Sequence, residues 1–196
     1  MELIKTNNIS SNENKQIKMN GWVYNTRRSG KIGFLIFRDG FGMVQCIVAK
    51  NDVGENNFDI FKKLTQESSI TIIGKIVKNE RSIGGYEVIC SEIILHHLSE
   101  DYPITPKEHG TDFLMNNRHL WLRSKRQHAI LKIRHEIIKS TRDFFDSNDF
   151  TLVDSPIFTP NAAEGTSTLF STDYFGKNAY LSQTGQLYGE ASAMSF

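Results

Sequence analysis

The chain has 196 residues, 39% of them hydrophobic and 23% charged, and a formal net charge of +1. That composition excludes a disordered or fibrous chain and predicts a buried core in one or two domains. No apolar run reaches the roughly 20 residues of a membrane helix, and the first thirty residues hold neither an apolar signal core nor a small-residue cleavage site, so a cytoplasmic location with no membrane partner is expected.

Charge is unevenly spread: from Lys18 to Lys50 six Lys or Arg face one acid, and from Arg118 to Arg134 six face none. Two basic stretches of this kind suit a polyanionic partner. Cys46 and Cys90 each stand inside a β-like apolar run, which fits buried thiols in a reducing compartment and excludes a disulfide framework or a paired-thiolate zinc site.

After a polar, Asn-rich leader the period becomes two, and strands are predicted at Ile17–Arg27, Gly33–Arg38 and Met43–Ala49. Ser29-Gly30-Lys31 and Asp39-Gly40-Phe41-Gly42 supply the turns between them. A short amphipathic helix is predicted near Phe58–Leu64, then strands at Ser69–Val77 and Tyr86–Leu98 around the Gly84-Gly85 turn. Five strands with a helix between the third and fourth is the element order of an OB-fold, whose strand 2–3 face commonly binds oligonucleotides; a generic five-stranded barrel is the alternative.

Between Ser99 and Asn117 the alternation stops and Pro103, Pro106 and Gly110 mark a linker. Ser124 and Gln127 form a capping box at the start of a helix expected over Ser124–Ser147. Ile130, Ile133, Ile137 and Phe144 keep one face apolar, and Leu131, Ile138 and Phe145 widen that stripe beyond a single core contact. A strand is predicted at Phe150–Val153, running into Pro156, which cannot donate to a ladder.

Three stretches, Gly21–Cys46, Tyr102–Gln127 and the long helix with Phe150–Phe170 and Tyr180–Met194, together resemble the asparaginyl-tRNA synthetases. These belong to the class II aminoacyl-tRNA synthetase subgroup that includes the aspartyl and lysyl enzymes. The resemblance implies a β-barrel OB-fold that binds the anticodon at residues 1–98 and a hinge at 99–117. Residues 118–196 would then begin an α+β class II catalytic domain, an antiparallel sheet with helices, truncated here. Phe34 would stack on the central anticodon base, with Gln45 and Arg27 making polar contacts to the anticodon. The residue types suit the task independently: an aromatic platform for an unstacked base, polar groups for its edge, and a cation for phosphate. A core phenylalanine is the other reading of Phe34.

By the same resemblance the long helix and the segment to Pro156 are motif 1, a homodimer interface through Ile130, Ile133, Ile137 and Pro156; an ordinary core helix is the alternative. Glu164 would receive the α-ammonium group of asparagine, and Thr184 and Gln186 of a Thr-Gly-Gln segment would contact the amino acid. Aspartyl enzymes carry a lysine three residues after the shared Gln; this chain has Gly189 there. The implied function is ATP-dependent attachment of asparagine to tRNA(Asn), with ATP and Mg²⁺ used by the intact enzyme. The family's two later arginine motifs are absent, so an N-terminal fragment that holds neither cofactor, no metal, and is inactive alone is expected. A non-catalytic RNA-binding module, an aspartyl-tRNA synthetase and an asparagine-synthesising paralogue are the alternatives.

Overall fold

In the computed structural model, which describes residues 2–161 and 169–196, the first unit ends at Gly110 and the second begins at Thr111. The first contains β1 (Glu2–Leu3), β2 (Gln16–Ser29), β3 (Ile32–Arg38), β4 (Met43–Ala49), helix α1 (Lys50–Lys63), β5 (Ser69–Lys78) and β6 (Tyr86–His97). The sheet order is β1-β2-β3-β4-β6-β5, and a further β2–β5 pairing closes β2–β6 into the five-stranded OB barrel. Helix α1 extends further towards its N-terminus than the apolar spacing indicates, with a break at Gly54, whose φ of 77° is open to glycine at little cost.

Strict alternation puts Leu35 and Phe37 of β3, and Val44, Cys46 and Val48 of β4, into the barrel interior. Val53, Phe58, Phe61 and Leu64 join the same core from α1 and its C-cap. Gly21 and Gly74 carry no side chain because none fits: a Cβ at Gly21 would lie 2.3 Å from the Arg38 carbonyl, and one at Gly74 2.3 Å from that of Ile89. Cys46 and Cys90 are both free and buried, and burial, then the neighbouring Cys90 thiol, pushes the Cys46 thiol well up.

The long strand β2 serves two partners. Gln16–Trp22 pairs with β5 and Trp22–Ser29 with β3, and a bulge between Val23 and Asn25 shifts the register. A one-residue shift exchanges the two faces of a strand. Arg27 therefore pairs with the outward Phe34, whereas Thr26 pairs with the inward Leu35.

The polar leader is part of this unit. Glu2–Leu3 pairs in parallel with Ile17–Lys18, and Ile4 and Ile9 are buried. Its anchor is Asp39, which accepts hydrogen bonds from the Thr6 amide (2.8 Å) and hydroxyl (2.5 Å) and from the amides of Phe41 (2.8 Å) and Gly42 (3.0 Å). Burial pushes the carboxyl up, but these hydrogen bonds outweigh it and hold Asp39 below the usual aspartate range. A depressed folded-state value stabilises the protein above the unfolded value and is lost as the pH falls through the folded one. Asp39→Asn is expected to cost about 1–3 kcal/mol at neutral pH, a gap that closes on acidification in urea titrations at a series of pH values. A gap that stayed constant down to low pH would assign the loss to packing instead.

The second unit holds α2 (Thr111–Asn116), α3 (Arg118–Trp121), α4 (Lys125–Asp146), β7 (Phe158–Thr159), β8 (Ser171–Tyr174), β9 (Lys177–Leu181) and α5 (Gln186–Ala193). Ser124 caps α4, its hydroxyl accepting from the Gln127 amide at 3.4 Å. The strands form an antiparallel sheet in the order β7-β9-β8. The strand predicted at Phe150–Val153 does not form: among the described residues it has no ladder partner, and pairing starts beyond Pro156, at Phe158 opposite Leu181. No helix among the described residues is long and apolar enough to cross a membrane.

Candidate functional site

On the barrel's outer surface, β2, β3 and β4 bring Arg27, Phe34 and Gln45 onto one face. Phe34 is half-buried and outward, between inward Gly33 and Leu35, so it is not a core phenylalanine. The Arg27 guanidinium lies over the ring, 4.1 Å from its centroid, a cation–π contact worth roughly 0.5–1 kcal/mol at an exposed site. The pair offers an aromatic ring with a cation stacked on one of its faces. Gln45 lies one step along the same face, opposite Ile36 of β3.

Sequence reasoning missed Glu87, the β6 residue in register with Gln45. Gln45 Nε2 donates to Glu87 Oε1 at 2.7 Å, and the Ser82 hydroxyl donates to the same oxygen. An ionised carboxylate only accepts, so the amide nitrogen of Gln45 is the atom that must face it. Burial pushes the Glu87 carboxyl up, while hydrogen bonds from Ser82, Asn79 and Gln45 more than compensate and hold it below the usual range. Glu87 thus positions Gln45. The available signal was a lone acid in the apolar run Tyr86-Glu87-Val88-Ile89-Cys90, beside the Gly84-Gly85 turn.

In the second unit, Thr184 precedes α5 and its hydroxyl accepts from the Gln186 amide at 3.2 Å. The Ser182 hydroxyl donates to the Thr184 carbonyl at 2.5 Å, and Gln186 Nε2 donates to Glu190 Oε1 at 3.0 Å. Thr184 lines a small cleft with Thr159, Asn161, Ser182 and Tyr188. Gly189 lies on a different wall, lining an apolar hollow with Phe145, Phe150, Leu152, Val153 and Phe196. Glu164 lies outside the described residues. Among the described residues no cluster of three or more His, Cys, Asp or Glu side chains is placed to hold a metal ion.

Ile130, Ile133 and Ile137 stand on one face of α4 at 46%, 60% and 61% exposure. Pro156 is exposed beyond the helix, and Phe144, Phe150 and Leu152 add to the uncovered apolar surface.

Residues 17–95 match the family model of the OB-fold nucleic acid binding domain, and residues 110–196 that of the class II tRNA synthetases (D, K and N). An asparagine–tRNA ligase of Sorangium cellulosum is 56% identical over 195 residues, 99% of this chain and 44% of that protein. The crystal structure of asparaginyl-tRNA synthetase from Pyrococcus horikoshii complexed with asparaginyl-adenylate superposes with a TM-score of 0.90 at 36% identity, covering 97% of this chain and 45% of that one. The Entamoeba histolytica asparaginyl-tRNA synthetase in complex with asparaginyl-adenylate gives 0.81 at 29% identity over 98% and 45%. The chain spans less than half the length of these relatives. With both of its units matched in order, the chain belongs to the class II aminoacyl-tRNA synthetases of the aspartyl, asparaginyl and lysyl subgroup, and the relatives it resembles there are asparaginyl-tRNA synthetases.

Proposed function

We propose that the protein is an asparaginyl-tRNA synthetase of the cytoplasm, which activates asparagine with ATP and transfers it to tRNA(Asn), and that this chain supplies its anticodon-binding domain and part of its amino-acid site. The observation that carries the reading is 56% identity across 195 residues with an asparagine–tRNA ligase. In the first step the asparagine carboxylate attacks the α-phosphorus of ATP and pyrophosphate leaves; in the second a terminal ribose hydroxyl of the tRNA takes the acyl group and releases AMP. Thr184 and Gln186 contact the amino acid, and Glu164 receives its α-ammonium group through ionic hydrogen bonds. The apolar face of α4 with Pro156 is the homodimer contact, since so large an uncovered patch marks an interface. Asparagine-dependent exchange of pyrophosphate into ATP by the intact protein tests this reading, and exchange with aspartate alone would overturn it.

Anticodon recognition rests on the Arg27–Phe34 pair. Phe34→Ala is expected to weaken binding of tRNA with U at the central anticodon position by about 1–3 kcal/mol, the range for loss of one base–aromatic stack. Filter binding at fixed salt measures it. Unchanged affinity in a folded variant would remove Phe34 from the interface.

A further inference from the structure

A cleft of about 260 Å³ opens on the first unit, lined by Thr26, Arg27, Arg28, Phe61 and Lys62. Its walls come together because Gly33 has no side chain: a Cβ there would lie 2.4 Å from the Phe61 ring. Helix α1 therefore packs tightly against the β2–β3 hairpin. Arg28 is the register partner of Gly33, so the same close approach brings Arg28 and Lys62 to the lining of one cleft. Arg27 belongs to two features at once, lining this cleft and lying over Phe34 at 4.1 Å. Lys62 is bridged to Asp59 at 2.6 Å, with both side chains well exposed, and such surface pairs contribute little and exchange partners readily.

Three cations and the hydroxyl-bearing Thr26 around an open recess are chemistry for an oxyanion. We propose that this cleft binds a phosphodiester of the RNA backbone, adjoining the nucleotide whose base rests on Phe34. The proposal rests on the anticodon reading of that face. RNA is favoured over free phosphate because Arg27 joins the cleft to the aromatic platform, so a nucleotide stacked on Phe34 brings its own phosphate within reach. Arginine and lysine then differ in role: the fork of Arg28 can grip two phosphate oxygens, while Lys62 acts as a point charge.

The experiment uses the 196-residue chain and the anticodon hairpin of tRNA(Asn), with neutral methylphosphonate linkages placed one at a time on either side of the central anticodon base. One linkage should weaken binding to the wild type by about tenfold, as for loss of a charge-assisted hydrogen bond. In Arg28→Gln/Lys62→Gln the all-phosphate hairpin should bind about tenfold more weakly and that linkage should cost nothing further. The slope of log affinity against log salt should fall in magnitude by about 0.7 for a single phosphate. Inorganic phosphate at matched ionic strength should not displace the hairpin. If the double variant keeps full affinity while Phe34→Ala weakens it, the cleft assignment is wrong and the anticodon reading stands. If Phe34→Ala also has no effect, the anticodon reading fails with it. Competition by inorganic phosphate would make the cleft a free-anion site and overturn the assignment to RNA.

Discussion

Glu67→Ala is expected to destabilise the barrel by about 3–5 kcal/mol, because removing one partner of a buried ion pair leaves the other charge without compensation. Arg38 donates to Glu67 at 2.7 Å, and the two side chains are only 13% and 3% exposed. The Arg38 Nε has no hydrogen-bond partner among the described residues, and its guanidinium lies 5.0 Å from the centroid of the Trp22 ring. The guanidinium is therefore already under-satisfied, and Glu67 is its charged partner. Glu67 has a φ of 65°, a strain that alanine shares, so the backbone contribution largely cancels in the comparison. Urea unfolding of the chain measures the loss. Pairing Arg38→Met with Glu67→Leu should recover most of it, since apolar replacements of similar volume remove the desolvation cost along with the attraction. A double variant as unstable as Glu67→Ala would mean that the cluster is held by shape and not by charge.

On the proposed function, and with the substrate side chain entering the hollow that Gly189 lines rather than the Thr184 cleft, Gly189→Lys in the intact protein is expected to raise aspartate activation relative to asparagine by about a hundredfold or more, from a penalty of roughly 3–5 kcal/mol for an unpaired buried carboxylate. The aspartyl enzymes that this segment resembles carry a lysine at the corresponding position. Asparagine, with a neutral amide, needs no such cation. The substitution is sterically clean, because nothing lies within 4 Å of a Cβ at Gly189, and Glu190 beside it is engaged by Gln186. Pyrophosphate exchange with each amino acid gives the ratio. If the ratio is unchanged in a folded variant, the choice between acid and amide is made by other residues.

The OB barrel was legible because its signals are local and redundant. Alternation in Ile32–Arg38 and Met43–Ala49, turns at Gly30 and Gly40, and a helix after the third strand all agree. Ser124 was legible as a cap for the same reason, since a hydroxyl three residues before a helical amide has one obvious partner. What could not be read depends on partners distant in sequence. Ile4 and Ile9 are isolated apolar residues in a polar leader, and only their docking on the barrel buries them. Phe150–Val153 has strand composition, but a strand exists only when a neighbour supplies the ladder, and among the described residues none does. The pair β8 and β9 has the opposite character: Ser171–Tyr174 is polar and exposed, and is a strand because the turn at Phe175 and Gly176, with φ values of 52° and 75°, folds Lys177–Leu181 back on it. At the site, Phe34 and Gln45 could be placed by alternation, whereas Glu87 needed the parallel β4–β6 register.

The bulge in β2 acts on the side chains as a frameshift acts on a message. Before it, odd-numbered residues such as Ile17, Met19 and Val23 point inward; after it, the even-numbered Thr26 shares a face with inward Leu35 and odd-numbered Arg27 looks out. The two halves of a single strand thus obey opposite substitution rules, apolar at odd positions in one and at even positions in the other. A strand of the same length that paired without the bulge would keep its composition, yet set Thr26 opposite Phe34 and Arg27 opposite inward Gly33. The chemistry of this face is therefore written as much in the spacing of its residues as in their identity.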